Sequence, residues 1–490
     1  MRFVLNGKPA QLGEVDPHLN LLTWLREAGF TGSKEGCAEG ECGACAVALV
    51  EASMEPGAEP HDGHVSRLVP VNSCLLPIGA VVGRELVSVE GVADSDGRLH
   101  PVQEAMVQGG GSQCGYCTPG FVISLYCEYH RPERVGFDDE CLSGNLCRCT
   151  GYRPMRDVAR ALAGTRPSDP RLPILDQTPP VAPRVDLVWS GAPSRAEAPA
   201  RFLRPLELHE VFSALEAEPE ARVIAGGTDL MVDVNQRDLR APLWISLEGL
   251  SELMHLRSTA THFDLGAGRS LSSIEAWLQR AHPGELPLLE QLMPLFASPL
   301  IRNRATLGGS LVTASPIGDP APVLLALDAE LVLRSARGER HVPLSEFFQG
   351  YRRSALTPGE LVASVRIPRS PSAGSRASVQ RFYKVSKRIT DDISTVAGAF
   401  LLERDDADRI TRLRLAYAGI AATPLMAVQA QRAALGRPWD PATRAQVLEQ
   451  LVALGSPIDD RRGSAAYRKA MITSLFERFC AEVDSLGSAP

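Results

Sequence analysis

Ten of the chain's eleven cysteines fall between Cys37 and Cys149, and the last, Cys480, stands alone near the other end. Within that stretch the spacings are short: Cys37-x4-Cys42-x2-Cys45 with Cys74 downstream, then Cys114-x2-Cys117 and Cys147-x-Cys149. An odd total suits a disulfide framework poorly, and thiols this dense more often ligate metal. The first residues, MRFVLNGKPAQLGEVD, lack an apolar signal core, and no apolar run is long enough to span a bilayer. A cytoplasmic protein is the expectation, with its chemistry concentrated in the first third.

The first group matches the plant-type [2Fe-2S] ligand pattern. Three thiolates from nine consecutive residues must converge on two irons, which requires a tight loop. Gly36, Gly40 and Gly43 are expected to supply positive backbone torsions there and to let amide N–H groups face the sulfurs. Buried thiols or a tetrahedral zinc site are the alternatives, although zinc favours C-x2-C pairs over an x4 loop. In the second group the Cys147/Cys149 pair is expected to address one iron and the Cys114/Cys117 pair the other. Helix starts near Thr118 and Pro154 would point partial positive charge at them. Taken alone, this second group reads as zinc almost as readily as iron–sulfur.

The length of 490 residues calls for several domains. Lys and Arg number 51 against 58 Asp and Glu, for a net charge of -7 with no long basic block, so nucleic acid is not an expected partner. FVLNG reads as a strand entering an Asn6-Gly7 hairpin turn, Leu21, Leu22, Trp24 and Leu25 as a helix ending by Gly29, and AVALV as a buried strand. From Pro101 to Leu162 the texture is helical, with Thr118 read as an N-cap ahead of Pro119. Eight prolines between Thr165 and Arg201 read as an inter-domain linker. Beyond it, strands such as RVIAGG and AELVLRS alternate with helical stretches such as LSSIEAWLQRA, and a last unit begins near Ser378.

QCGYCTPG at 113–120 together with GNLCRCTGYRP at 144–154 resembles the iron–sulfur region of the xanthine oxidase family of molybdenum hydroxylases. VIAGGTDLMVD and ATLGGSLVTASPIGDP resemble that family's FAD-binding domain of the vanillyl-alcohol-oxidase type; GxGxxG is absent. The resemblance implies an α+β multidomain fold. Residues 1–90 would form a plant-type ferredoxin-like β-grasp domain and 91–164 a four-helix-bundle [2Fe-2S] domain. A linker over 165–201 would lead to an α/β FAD-binding domain at 202–377 and a C-terminal α/β domain at 378–490. Tyr116 stands where phenylalanine is common in the family.

By the same resemblance Cys37, Cys42, Cys45 and Cys74 would hold the cluster nearer the flavin, and Cys114, Cys117, Cys147 and Cys149 the one nearer molybdenum, with Gln113 reaching towards molybdopterin. Val223, Ile224, Ala225, Gly226, Gly227, Thr228, Asp229 and Leu230 would line the FAD pyrophosphate and adenine. Ala305, Thr306, Gly309, Ser310, Thr313 and Asp319 would hold the ribityl and diphosphate, Phe296 would face the isoalloxazine, and Lys384 would contact the flavin. Tyr351 and Asp391-Asp392 match places near a nicotinamide site. Cys127 and Cys480 are expected to be packing, with Cys141 undecided. The implied role is that of a small electron-transfer subunit of xanthine dehydrogenase type. Electrons from hypoxanthine or xanthine oxidation would pass from a molybdopterin-binding large subunit through both clusters to FAD and NAD+, in an α2β2 heterotetramer. The same modules would also serve hydroxylases of aldehydes, carbon monoxide or N-heterocycles, or a stand-alone electron carrier.

Overall fold

Strand β1 (Arg2–Leu5) turns through Asn6 and Gly7, both at positive φ (53° and 72°), into β2 (Lys8–Gln11), the left-handed pair that a two-residue hairpin requires. The computed structural model describes residues 1–52, 66–94, 96–131, 136–164, 175, 177–179, 182–191, 199–369 and 378–487. These fall into two compact units, one of residues 1–251 with 298–305 and one of 252–297 with 306–490.

In the first unit, β3 (Ala46–Ala52), β4 (Ser66–Asn72) and β5 (Glu85–Val87) complete a sheet of order β2-β1-β5-β3-β4, in which only β1 and β5 run parallel. Helix α1 (Leu21–Glu27) starts where Asn20 accepts from Thr23 N at 2.9 Å, and it buries Leu21, Leu22 and Leu25 against Phe3, Leu5, Val47 and Leu49. The opposite face of β3, Ala46, Ala48 and Val50, packs on a helical module. Burial on both faces explains why AVALV is apolar without alternation.

That helical module comprises α2 (Pro101–Gln108), α3 (Thr118–Tyr129) and α4 (Arg153–Leu162), with a 3₁₀ turn at Asp139–Leu142. Three α-helices and one short turn therefore stand, among the described residues, where a four-helix bundle was expected. Thr118 is the first helical residue of α3 and not its N-cap; Cys117 occupies the cap position with no side-chain cap bond, and the Thr118 hydroxyl pairs with that of Ser112 at 2.7 Å.

The expected linker at 165–201 lies mostly outside the described residues, but its later part contains a strand. β6 (Val185–Trp189) pairs antiparallel with β7 (Ala200–Arg204), burying Val185, Leu187 and Trp189 on alternate positions. Helix α5 (Leu208–Ala217), β8 (Arg222–Ile224), α6 (Leu230–Arg237) and β9 (Leu243–Ser246) follow, and the sheet order is β6-β7-β9-β8. This second sheet shares one core with the first: Phe202, Ile224, Met231 and Trp244 join the cluster that contains Phe3 and Leu25. Fully buried Arg204 donates to the carbonyls of Ala80 at 3.0 Å, Val82 at 2.6 Å and Pro183 at 2.9 Å. Shared burial of this kind carries the first unit across the expected 201/202 boundary as far as Ser251.

Among the described residues the second unit holds two larger antiparallel sheets and a two-stranded one, Phe348–Gly350 with Arg353–Ser354. The first larger sheet runs β10 (Leu256–Ser258), β11 (His262–Gly266), then Leu361–Pro368, Glu330–Ser335 and Gly338–Pro343; the second joins Val379–Val385, Val396–Arg404, Ile410–Ala418 and Leu425–Met426 in sequence order. The long helix Ala465–Gly487 packs Ile472, Phe476 and Phe479 onto the second sheet's apolar face. No described helix is long and apolar enough to cross a membrane.

Candidate cofactor sites

The first cysteine loop is held by its backbone. Gly40 and Gly43 take positive φ (84° and 66°), as does Ala38 at 55°, whereas Gly36 does not; its need for glycine is steric, since a Cβ there would stand 2.8 Å from Cys42 Sγ. Glu39 N donates to Cys37 Sγ at 3.4 Å, and Asn72 Nδ2 donates to Gly40 O at 2.8 Å. Cys45 Sγ lies 3.4 Å from Cys74 Sγ.

The thiols come together as pairs, Cys37 with Cys42 and Cys45 with Cys74. Sharing a proton with Cys42, and accepting from the Glu39 amide, draws Cys37 down to about 5 against the opposing effect of burial. The Cys74 thiol likewise pulls Cys45 down, while Cys42 and Cys74 are pushed up. Among the described residues no group of three or more His, Cys, Asp or Glu is gathered for a single ion. Two thiolates per metal is the donor arrangement that a two-iron cluster takes.

In the second group the pairing crosses the two motifs. Cys149 Sγ lies 3.6 Å from Cys114 Sγ, and Cys117 shares a hydrogen bond with Cys147; Cys147 and Cys149 are 3.8 Å apart. The Cys114–Cys149 and Cys117–Cys147 pairs each take one sulfur from C-x2-C and one from C-x-C, whereas the expectation had each motif serve its own iron. Burial pushes Cys147 up, but the Thr150 hydroxyl at 2.9 Å and the Thr150 amide at 3.4 Å outweigh it and hold the thiol at about 7. Burial pushes Cys117 up to about 12. Helix α3 begins directly after Cys117, and α4 follows Tyr152, whose φ of 68° turns its hydroxyl back to accept from Cys147 N at 3.0 Å. Cys114, Cys149, Gln113 and Tyr116 are exposed.

Three glycines let the two cysteine groups approach backbone to backbone. A Cβ on Gly43 would meet Gly144 O at 2.3 Å, and one on Gly120 would meet Gly43 O at 2.2 Å. Leu146 N, next to Cys147, donates to Cys42 O at 3.0 Å. Cys127 and Cys480 are packed in cores, and partly buried Cys141 rests against the helical core.

In the first unit, residues 223–230 leave β8 and enter α6. A Cβ on Gly226 would stand 1.7 Å from Arg304 O, and one on Gly227, at φ 81°, 2.8 Å from Leu75 O. These glycines admit neighbouring main chain as well as any ligand. Arg304 is tied to Glu248, which also accepts from Arg84 Nη2 at 2.5 Å; burial pulls the Arg304 guanidinium down to about 9. Ala305 is buried at the end of this segment.

In the second unit, Thr306 caps the short helix Leu307–Val312, accepting from Gly309 N at 3.0 Å, and Thr313 Oγ1 donates to Gly309 O at 3.1 Å. Asp319 and Lys384, both expected to contact flavin, are bound to each other. Lys384 Nζ donates to Asp319 Oδ2 at 2.8 Å and to Leu295 O at 2.7 Å, and Ser394 Oγ donates to Asp319 Oδ1 at 2.5 Å. Leu295 precedes half-buried Phe296, so the lysine anchors that turn. Tyr351 is 64% exposed. Asp392 accepts from the Lys387, Arg388 and Ile393 amides at 2.9, 3.0 and 2.9 Å and so closes its own loop.

Residues 3–78 match the 2Fe-2S iron-sulfur cluster binding domain, 88–160 the [2Fe-2S] binding domain, 198–370 the FAD binding domain in molybdopterin dehydrogenase, and 381–483 the CO dehydrogenase flavoprotein C-terminal domain. The chain belongs to the xanthine oxidase family of molybdenum hydroxylases. Its modules are the family's iron–sulfur and flavin part, with an electron-transfer role. It is 30% identical to xanthine dehydrogenase of Emericella nidulans over 99% of this chain and 38% of that one. Aldehyde oxidase 2 of Cavia porcellus is 29% identical over 98% of this chain and 39% of its own length. The chain therefore spans less than two-fifths of these curated relatives. Among solved structures, carbon monoxide dehydrogenase from Hydrogenophaga pseudoflava aligns with a TM-score of 0.53 and 25% identity, covering 56% of this chain and 94% of that one. Quinoline 2-oxidoreductase from Pseudomonas putida 86 aligns at 0.51 and 25%, covering 57% and 94%.

Proposed function

We propose that this chain is the electron-transfer subunit of a cytoplasmic xanthine dehydrogenase, accepting electrons from a molybdopterin-binding large subunit in an α2β2 heterotetramer and delivering them to NAD+. The observation that carries the reading is the run of two thiol groups, joined backbone to backbone, followed in one chain by both flavin modules, the order in which relatives named xanthine dehydrogenase align along 99% of it. The clusters would supply single-electron transfer, and the flavin would collect two electrons and yield a hydride.

The residues divide the work. Cys114 and Cys149, exposed, offer an entry face for the partner, with Gln113 beside them. The Leu146–Cys42 backbone bond leads from the second thiol group to the first. In the first unit, residues 223–230 and Ala305 are assigned to FAD. In the second, Thr306, Gly309, Ser310, Thr313 and Phe296 are so assigned, with Asp319 acting through Lys384. Tyr351 and Asp391 are assigned to the nicotinamide side.

The aldehyde oxidase relative and the carbon monoxide and quinoline structures support a second reading, in which the same modules serve another hydroxylase. The complex purified with its natural partner decides between them. Hypoxanthine or xanthine should bleach its visible absorbance and produce NADH. Bleaching by an aldehyde, carbon monoxide or quinoline but not by purines would overturn the purine assignment; bleaching by purines with reoxidation by oxygen alone would overturn NAD+.

A further inference from the structure

Helix α6 connects two places to which function has been assigned. It begins three residues after Gly227, in the segment assigned to the FAD pyrophosphate, and its far end bonds the first cysteine loop. Asn235 Nδ2 donates to Cys74 O at 2.8 Å and to Ala38 O at 3.0 Å, and Gln236 Nε2 donates to Cys37 O at 2.9 Å. The amide orientation of Asn235 follows from its neighbours. Nδ2 faces two carbonyl acceptors, and Oδ1 accepts at 3.0 Å from Nδ2 of Asn20, whose own Oδ1 is committed to Thr23 N. A flipped amide would set oxygen against two carbonyl oxygens.

These carbonyls belong to Cys37, to Cys74 and to Ala38, the left-handed residue between Cys37 and the turn at Gly40. Their oxygens are the negative ends of dipoles beside a centre that gains negative charge when reduced. Donors on those oxygens draw electron density away and lower the electrostatic cost of the added electron. They also fix the loop to the helix that carries the flavin segment.

We propose that Asn235, seconded by Gln236, is a positioning residue that raises the reduction potential of the cluster held by Cys37, Cys42, Cys45 and Cys74. The proposal rests on the iron–sulfur reading above. It concerns no residue of the ligand set, and the hydrogen bonds of both side chains go to Cys37, Ala38 and Cys74 of the first thiol group and to Asn20.

The test is a redox titration of the full chain followed by electron paramagnetic resonance, in Asn235→Leu and Gln236→Leu, with Cys147→Ser assigning the signals. In Asn235→Leu the first cluster's midpoint should fall by an amount equal to at least a tenfold change in its oxidised-to-reduced ratio, about 59 mV for one electron. Gln236→Leu, at an exposed position, should move it the same way by less. The second cluster's midpoint and the iron content should stay put. An unmoved first midpoint at unchanged iron content would overturn the proposal. If Asn235→Leu fails to fold, an unmoved midpoint in Gln236→Leu overturns it equally. Absence of any first-cluster signal from the unaltered chain would instead sink the iron–sulfur reading.

Discussion

Lys384 Nζ lies 2.8 Å from Asp319 Oδ2, with the two side chains 3% and 5% exposed. Burial pushes the Asp319 carboxyl up, and the adjacent ammonium and Ser394 hydroxyl counter that effect. Removing one partner leaves an uncompensated buried charge. Lys384→Met is expected to cost about 3–5 kcal/mol, seen as a fall in the midpoint of thermal or denaturant unfolding. Combining it with Asp319→Leu should restore much of the loss; an unaffected single variant would contradict the pairing.

Gly226→Ala addresses the other unit. The added methyl would stand 1.7 Å from the Arg304 carbonyl, and backbone on both sides leaves nothing flexible to yield. A loss of about 3 kcal/mol is expected, the upper end for overpacking. FAD content per chain should fall with it, whereas iron content should not. Normal stability and full flavin in this variant would show that the close approach is not maintained.

The sequence made the cysteine spacings, the Asn6-Gly7 turn and AVALV legible because each depends on neighbours within a few residues. Where partners come from far away, it was silent. Asn235 reads as an ordinary helix residue until Cys74, 161 positions earlier, accepts from it. The proline-rich stretch hid β6, whose partner β7 supplies the pairing that composition does not show. Gly36 was read as a torsional glycine although its role is space for Cys42, while Ala38 carries a positive φ that no residue type announced. The crossed thiol pairs likewise depend on how α3 and α4 bring their starts together. Lys384 was assigned to flavin by motif position alone, and its bond to Asp319 spans 65 positions.

The loop at 386–393 should respond to acid. Against the opposing effect of burial, the Arg388, Ile393 and Lys387 amides, with the Arg388 charge, hold the Asp392 carboxyl below the ordinary carboxylate range. A depressed carboxylate contributes stability that is complete above its unfolded value of about 3.9 and is lost as pH falls through the lower folded value. Hydrogen exchange at the Lys387, Arg388 and Ile393 amides should therefore lose protection only below that range. In Asp392→Ala, protection should already be missing at neutral pH; protected amides in that variant would contradict the assignment.

Asp391→Arg should weaken NAD+ reduction by the complex at least tenfold and leave FAD content unchanged. Asp391 is half-buried in a turn at φ 51°. Unchanged NAD+ kinetics would remove this loop from the nicotinamide side.

The central claim is that the eight paired thiols carry two separate two-iron clusters. A quantitative spin count on the dithionite-reduced chain tests it most directly, since each reduced [2Fe-2S] cluster contributes one unpaired spin. The account predicts about two spins per chain in two distinguishable signals, one of which disappears in Cys147→Ser while the other remains. About one spin or none, or two signals both unaltered in Cys147→Ser, would contradict it.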